Sequence, residues 1–143
     1  SGCSGAKLNR MRLPRSETIA IITRSFPYWF CNNYRLWVNR DTEMPYDQHQ
    51  FLALMAPRLV GVGSAVDDKW AGPEGEFEAT RRASELWVAY GRKGISLTAY
   101  PAPGTTDNEG FVGFHLRPGG HKLLPYDWKR YMDFADRKGW KAR

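Results

Sequence analysis

Apolar positions along this chain change period several times, and each change marks an element. Ser16 before Glu17 predicts a cap and a short helix over 17–23, which Ser25-Phe26-Pro27 breaks. In 28–37 the aromatics Trp29, Phe30, Tyr34 and Trp37 fit one helical face, and a polar turn follows at 39–43. Pro45 opens a helix over 47–55, ended by Ala56-Pro57-Arg58. The run 59–64 is apolar and bounded by breakers, as in a buried parallel strand. Gly72-Pro73 opens the longest helix, over 74–93, with Phe77, Ala83, Leu86, Trp87 and Tyr90 as its apolar face and Gly94 as its stop. Residues 95–100 alternate and predict a second strand, 101–110 a loop, and 111–116 a short extended piece or strand. A last helix over 126–138 carries Trp128, Tyr131, Met132 and Ala135 at helical spacing, with Gly139 as its stop.

Strand, helix, strand, helix is the order of an α/β fold with parallel strands and right-handed crossovers. In such sheets functional residues collect beyond the carboxyl ends of the strands. That rule singles out two places. Asp67, Asp68 and Trp70 follow the run 59–64, and His121 sits in Arg117-Pro118-Gly119-Gly120-His121 before the last helix. A carboxylate after a strand, then a histidine in a glycine loop before the final helix, is the second half of a serine–acid–histidine relay. The acid fixes the histidine tautomer and stabilises the imidazolium when the ring takes the serine proton. Adjacent aspartates cannot both aim at one imidazole, so one of Asp67 and Asp68 is a turn acid. Trp70 reads as a packing anchor or as a platform for a sugar ring. His115 alternates with apolar neighbours and His49 lies on a helix; both read as structural.

Composition and charge narrow the picture. The 143 residues are 42% hydrophobic and 14% aromatic, which is globular. No apolar run approaches the ~18 residues of a membrane span. The net charge of +6 comes largely from Lys7, Arg10, Arg12, Arg15 and from Arg137, Lys138, Lys141, Arg143 at the two ends. With no nucleic-acid motif beside it, this charge reads as a solvated face. Cys3 and Cys31 have neither metal spacing nor a disulfide framework, and their pairing is left open. Gly2-Cys3-Ser4-Gly5-Ala6 looks like a nucleophile elbow, but it has no room for a preceding strand and ends in Ala6 where the elbow has glycine. A start at Ser1-Gly2-Cys3, without Met or leader, reads as part of a longer protein, since one-domain α/β folds often run to about 200–250 residues.

Several stretches together resemble the glucuronoyl esterases, especially the bacterial members of that carbohydrate esterase family. They are Ser1-Gly2-Cys3-Ser4-Gly5-Ala6, Phe26-Pro27-Tyr28-Trp29-Phe30-Cys31, and Pro45-Tyr46-Asp47-Gln48-His49 with Leu52-Ala53-Leu54-Met55-Ala56-Pro57-Arg58. The run from Ser64 through Asp67-Asp68-Lys69-Trp70 to Phe77 is similar to the family's acid loop. Gly113-Phe114-His115-Leu116-Arg117-Pro118-Gly119-Gly120-His121 and Pro125-Tyr126-Asp127-Trp128 are similar to its histidine loop. The resemblance implies the C-terminal part of an α/β-hydrolase three-layer sandwich with a mainly parallel sheet, residues 1–143 forming one partial domain. It implies a serine esterase without cofactor or metal, cleaving esters between 4-O-methyl-glucuronate on xylan and lignin alcohols. By position, His121 matches the relay histidine, Asp68 the acid two residues before Trp70, and Trp70 the tryptophan that contacts the glucuronate.

The resemblance also implies that the serine and its basic neighbours lie before Ser1. So would the glutamate that some members use as the relay acid instead. The fungal glutamine and glutamate sugar ligands have no match; Arg24 and Ser25 occupy the nearest region. The whole enzyme is expected to be a secreted or periplasmic monomer acting on uronate esters, with no nucleic-acid or membrane partner. This stretch alone is expected to be inactive and, with an open sheet edge, aggregation-prone. An acetyl xylan esterase and a non-catalytic carbohydrate-binding remnant are the alternatives.

Overall fold

A computed structural model describes residues 5–139. Ser4 and Cys3, and with them the elbow reading and the Cys3–Cys31 pairing, lie outside the described residues; Cys31 is a free, exposed thiol. The described elements run α1 (Ile19–Ser25), α2 (Asn32–Arg35), a 3-10 turn (Asp41–Glu43), α3 (Gln48–Ala53), β1 (Val60–Ala65), α4 (Pro73–Ala89), β2 (Thr106–Asp107), β3 (Val112–Arg117) and α5 (Pro125–Arg137). The three strands form one sheet in the order β1-β3-β2. β1 and β3 are parallel, with Val60 opposite Val112 and Ala65 opposite Arg117, and β2 is antiparallel to β3. Among the described residues no helix is long and apolar enough to cross a membrane.

The pleat sorts the sheet into two faces. Val60, Val62, Val112, Phe114 and Leu116 form one core with Phe77, Ala83 and Trp87 of α4. Gly61, Gly63 and Gly113 point the other way and leave room for Tyr131 and Phe134 of α5. A Cβ at Gly63 would lie 2.5 Å from both the His115 ring and the Tyr131 hydroxyl, so α5 can close on the sheet only over glycine. A smaller core, built on Ile19, Ile22, Tyr34 and Met44, joins α1 to the segment after it.

The structure corrects five expectations. The stretch 95–100 is extended but belongs to no strand. β2 holds the free edge of β3, and the amides of Ile95, Ser96 and Leu97 are taken by the Ser84 hydroxyl and the Asp107 carboxylate. Thr18, not Ser16, caps α1; Ser16 donates to the Leu13 carbonyl, while Asp41 accepts from the Ile19 amide. Only Asn32–Arg35 of the aromatic segment is helical, and Trp29 stacks on Phe26 at the surface. α4 ends at Ala89, leaving Leu86 and Tyr90 exposed, because Ala79, Ala83 and Trp87 take the buried face. α5 buries Asp127 and Phe134, and Trp128 and Met132 stand in solvent.

The chain before α1 is pinned by buried acids. The Asp47 carboxylate caps α3 and accepts from the amides of Asn9 and Arg10 at 2.7 and 3.0 Å. Fully buried Lys7 donates to the Glu17 carbonyl, and Glu17 N–H donates to the Trp70 carbonyl. This segment therefore lies directly beneath the loop that follows β1.

Candidate active site

β1 and β3 end side by side, so the loops after them start at the same rim of the sheet. The strand-end rule permits an Asp–His pair at this rim, and in the structure it is Asp68 that meets His121. The Asp68 Oδ2 and His121 Nδ1 atoms are 2.7 Å apart. An ionised carboxylate only accepts, so the neutral ring carries its proton on Nδ1 and presents the Nε2 lone pair outward. The His121 side chain is 78% exposed and that of Asp68 only 12%. The acid is therefore fixed and the base is open to a reacting partner. The Ala71 amide, donating to the other Asp68 oxygen at 3.3 Å, holds the carboxylate from below.

Asp67 has a different task. Its carboxylate accepts from the Gly119 amide at 3.1 Å, and its own amide donates to the Gly119 carbonyl at 3.0 Å. Gly119 stands at φ 91°, where a side chain is strained, so this clasp closes on a conformation that suits glycine. The two neighbouring aspartates thus divide the work between loop and imidazole.

Trp70 is half-exposed, and its indole N–H donates to Glu17 Oε2 at 2.7 Å. With that donor engaged, the ring faces are what the indole offers to a ligand. Glu17 went unnoticed in the sequence because it read as a helix-start residue; its link to Trp70 spans 53 positions and leaves no local signal.

Beneath the histidine loop lies a buried polar cluster. His115 Nε2 sits 2.8 Å from Asp127 Oδ1, and the Arg117 Nε–H bridges both Asp127 oxygens at 3.1 and 3.0 Å. Burial pushes the His115 pKa down, more than the bond to Asp127 raises it. Burial also works to raise the Asp127 carboxyl, but the Leu124 amide, His115 and Arg117 together hold it below the usual value. His115 is thus the hydrogen-bonded structural histidine expected from its alternation. His49, on α3, has its Nδ1 buried without a hydrogen-bond partner among the described residues.

Two hollows meet at this rim. A cleft of 300 Å³ is lined by Asp68, His121, Lys122 and Leu123, with Glu76 and Arg117 at its floor. A trough of 720 Å³ runs along the β1 edge that β3 does not occupy, walled by Trp29, Phe30, Tyr34 and Phe51. Gly63 and Tyr131 line both. Among the described residues no group of three or more His, Cys, Asp or Glu side chains could hold a metal ion.

Comparisons with known proteins point one way. The family model for glucuronyl esterases of fungi matches residues 1–91. A carbohydrate esterase, MZ0003, from an unknown prokaryotic organism is 41% identical over 95% of this chain, which covers 31% of that protein. The 4-O-methyl-glucuronoyl methylesterase 1 of Phanerochaete chrysosporium is 30% identical over 65% of this chain and 16% of its own length. Among solved structures, a promiscuous CE15 esterase from a marine bacterial metagenome superposes with a TM-score of 0.88 at 40% identity, covering 95% of this chain and 34% of that one. A glucuronoyl esterase from Solibacter usitatus gives 0.85 at 39% identity over the same shares. The chain spans about a third of the length of these prokaryotic relatives. Their fold is of the α/β-hydrolase type, and the strand–helix–strand unit here is part of it. On the matched residues and the shared fold, this chain belongs to the glucuronyl esterase family.

Proposed function

We propose that this chain carries the acid and base of a glucuronoyl esterase, a serine hydrolase that cleaves glucuronate esters linking xylan to lignin. The observation that carries the reading is the Asp68–His121 pair, 2.7 Å apart at the rim of the sheet with the imidazole open to solvent. In this mechanism a serine, carried by the part of the enzyme that this chain does not span, attacks the ester carbonyl. His121 Nε2 takes the serine proton and delivers it to the leaving alcohol. It then draws a proton from water to release the acyl group. Asp68 holds the ring in the required tautomer and stabilises the imidazolium. Trp70, fixed edge-on by Glu17, offers a flat face to the sugar.

The free edge of β1 and the aromatic trough beside it suit a further parallel strand. We assign residues 1–143 to one partial domain, completed by such strands into a three-layer sandwich with a mainly parallel sheet. An enzyme acting on polymers of this size works outside the cell or in the periplasm, because they do not pass a membrane. The test is hydrolysis of methyl glucuronate by the complete enzyme. His121→Ala is expected to reduce turnover by at least about 10³-fold. Unchanged turnover in that variant would sink the reading.

A further inference from the structure

Arg117 stands at the end of β3 and is 4% exposed, yet nothing in the relay as described uses it. Each of its three guanidinium nitrogens donates. Nε–H bridges both Asp127 oxygens, Nη1 donates to the Pro118 carbonyl at 3.0 Å, and Nη2 donates to the carbonyls of Gly120, at 3.1 Å, and Lys122. Those three carbonyls flank His121 on both sides. The loop is therefore wrapped around a planar cation that is anchored to the first turn of α5 through Asp127. Gly119 passes close enough that a Cβ there would lie 3.3 Å from Nη1. Asp67 clasps the same loop from outside through Gly119.

We infer that Arg117 is a positioning residue for the histidine: its guanidinium sets the path of 118–122, and so the angle at which His121 meets Asp68. The inference rests on the relay reading of that pair and deepens it. Only a planar fork with five donors can serve a carboxylate and three carbonyls together. The ammonium of Lys has three donors on a single atom and cannot span them. A loop carbonyl released from Arg117 would let the ring drift by the order of an ångström, enough to cost about 10²-fold in rate when chemistry depends on alignment.

The test reads the tautomer of His121 by nitrogen-15 NMR of the complete, uniformly labelled enzyme. The unaltered enzyme is expected to show one neutral tautomer, protonated at Nδ1. Arg117→Lys is expected to give a mixture of both, with the Trp87 indole signal unchanged as evidence that the core is intact. In the complete enzyme the same variant is expected to lower kcat about a hundredfold with little change in KM. A single Nδ1–H tautomer in Arg117→Lys, or an unaltered kcat, overturns the inference. Should that variant fail to fold, the unaltered enzyme still decides. Nη protons that are resolved and protected from exchange support the clamp, and one averaged, fast-exchanging Nη signal refutes it. Asp68→Asn separates the two claims. It is expected to abolish the tautomer preference while leaving the Arg117 signals in place. A preference that survives it counts against the relay reading, not against the clamp.

Discussion

Asp67 and Asp68 share a turn, a charge and a position after the same strand, and they face different partners. Asp68 meets the imidazole and Asp67 meets the Gly119 backbone. The reason is steric: successive side chains in a turn diverge, so only one carboxylate reaches the ring. Asp68→Asn is expected to cut uronate-ester turnover by about 10³–10⁴-fold, because an amide in place of the acceptor permits the wrong tautomer. Asp67→Asn leaves the imidazole contact in place and is expected to cost less than about tenfold. Comparing kcat of the two variants in the complete enzyme checks the division. The residue types of this pair were legible in the sequence, and so was the strand end that presents them. Which aspartate turns inward is not in the local pattern, since adjacent identical residues carry no signal for direction; only the family resemblance, through the spacing to Trp70, pointed to Asp68.

Two elements show how much a helix depends on what it covers. In α5 the spacing of Trp128, Tyr131 and Met132 suggested the buried face, but the helix is rotated so that Asp127, Tyr131 and Phe134 meet the sheet. The glycine face of β1 and β3 admits two rings, and the Asp127 bond to Arg117 locks the rotation. Phe134→Ala should therefore cost about 3–5 kcal/mol of unfolding free energy in the complete enzyme. Trp128→Ala should stay within about 0.5 kcal/mol. Denaturant titration of both variants distinguishes the two faces. In α3, the sequence placed Asp47 at the helix start but not its second task of holding Asn9 and Arg10. Removing the side chain leaves the buried Asn9 amide and the Arg10 amide without an acceptor as well as uncapping the helix. Asp47→Ala is expected to lose at least about 2 kcal/mol, more than a typical cap. The strand expected over 95–100 shows the same limit. Its alternation was real, but β2 already held the sheet edge it needed.

At the scale of the whole molecule, buried ionisable groups define a pH range for stability. His115 is held below its ordinary 6.5 by burial, so the unfolded chain binds the proton more readily. Stability is complete above pH 6.5 and falls as pH drops below it. Asp127 is also depressed, and its contribution is present above its ordinary 3.8 and lost at lower pH. Burial raises the Tyr131 phenol, and raises that of Tyr100 to about 12, so both favour the folded state until pH passes the ordinary 10.0. The thermal midpoint should thus hold between about pH 6.5 and 10 and fall on either side. Because His115 and Asp127 lie under the histidine loop, the acid-side loss should appear first there, as faster amide exchange at 119–122.

The sequence alone determined the strand over 59–64, the long helix after it, the last helix, the glycine loop bearing His121, the acids after β1, and the family whose motifs the chain carries. These are local matters, written in period, breakers and short motifs. Tertiary structure decided that Asp67 clasps the histidine loop, which face of α5 is buried, that Glu17 holds Trp70, and that the histidine loop winds around Arg117. Each of these joins residues far apart in the chain or chooses between side chains with equal local credentials. Such choices are made by the space and the unsatisfied hydrogen bonds that packing leaves, and no stretch of sequence contains them.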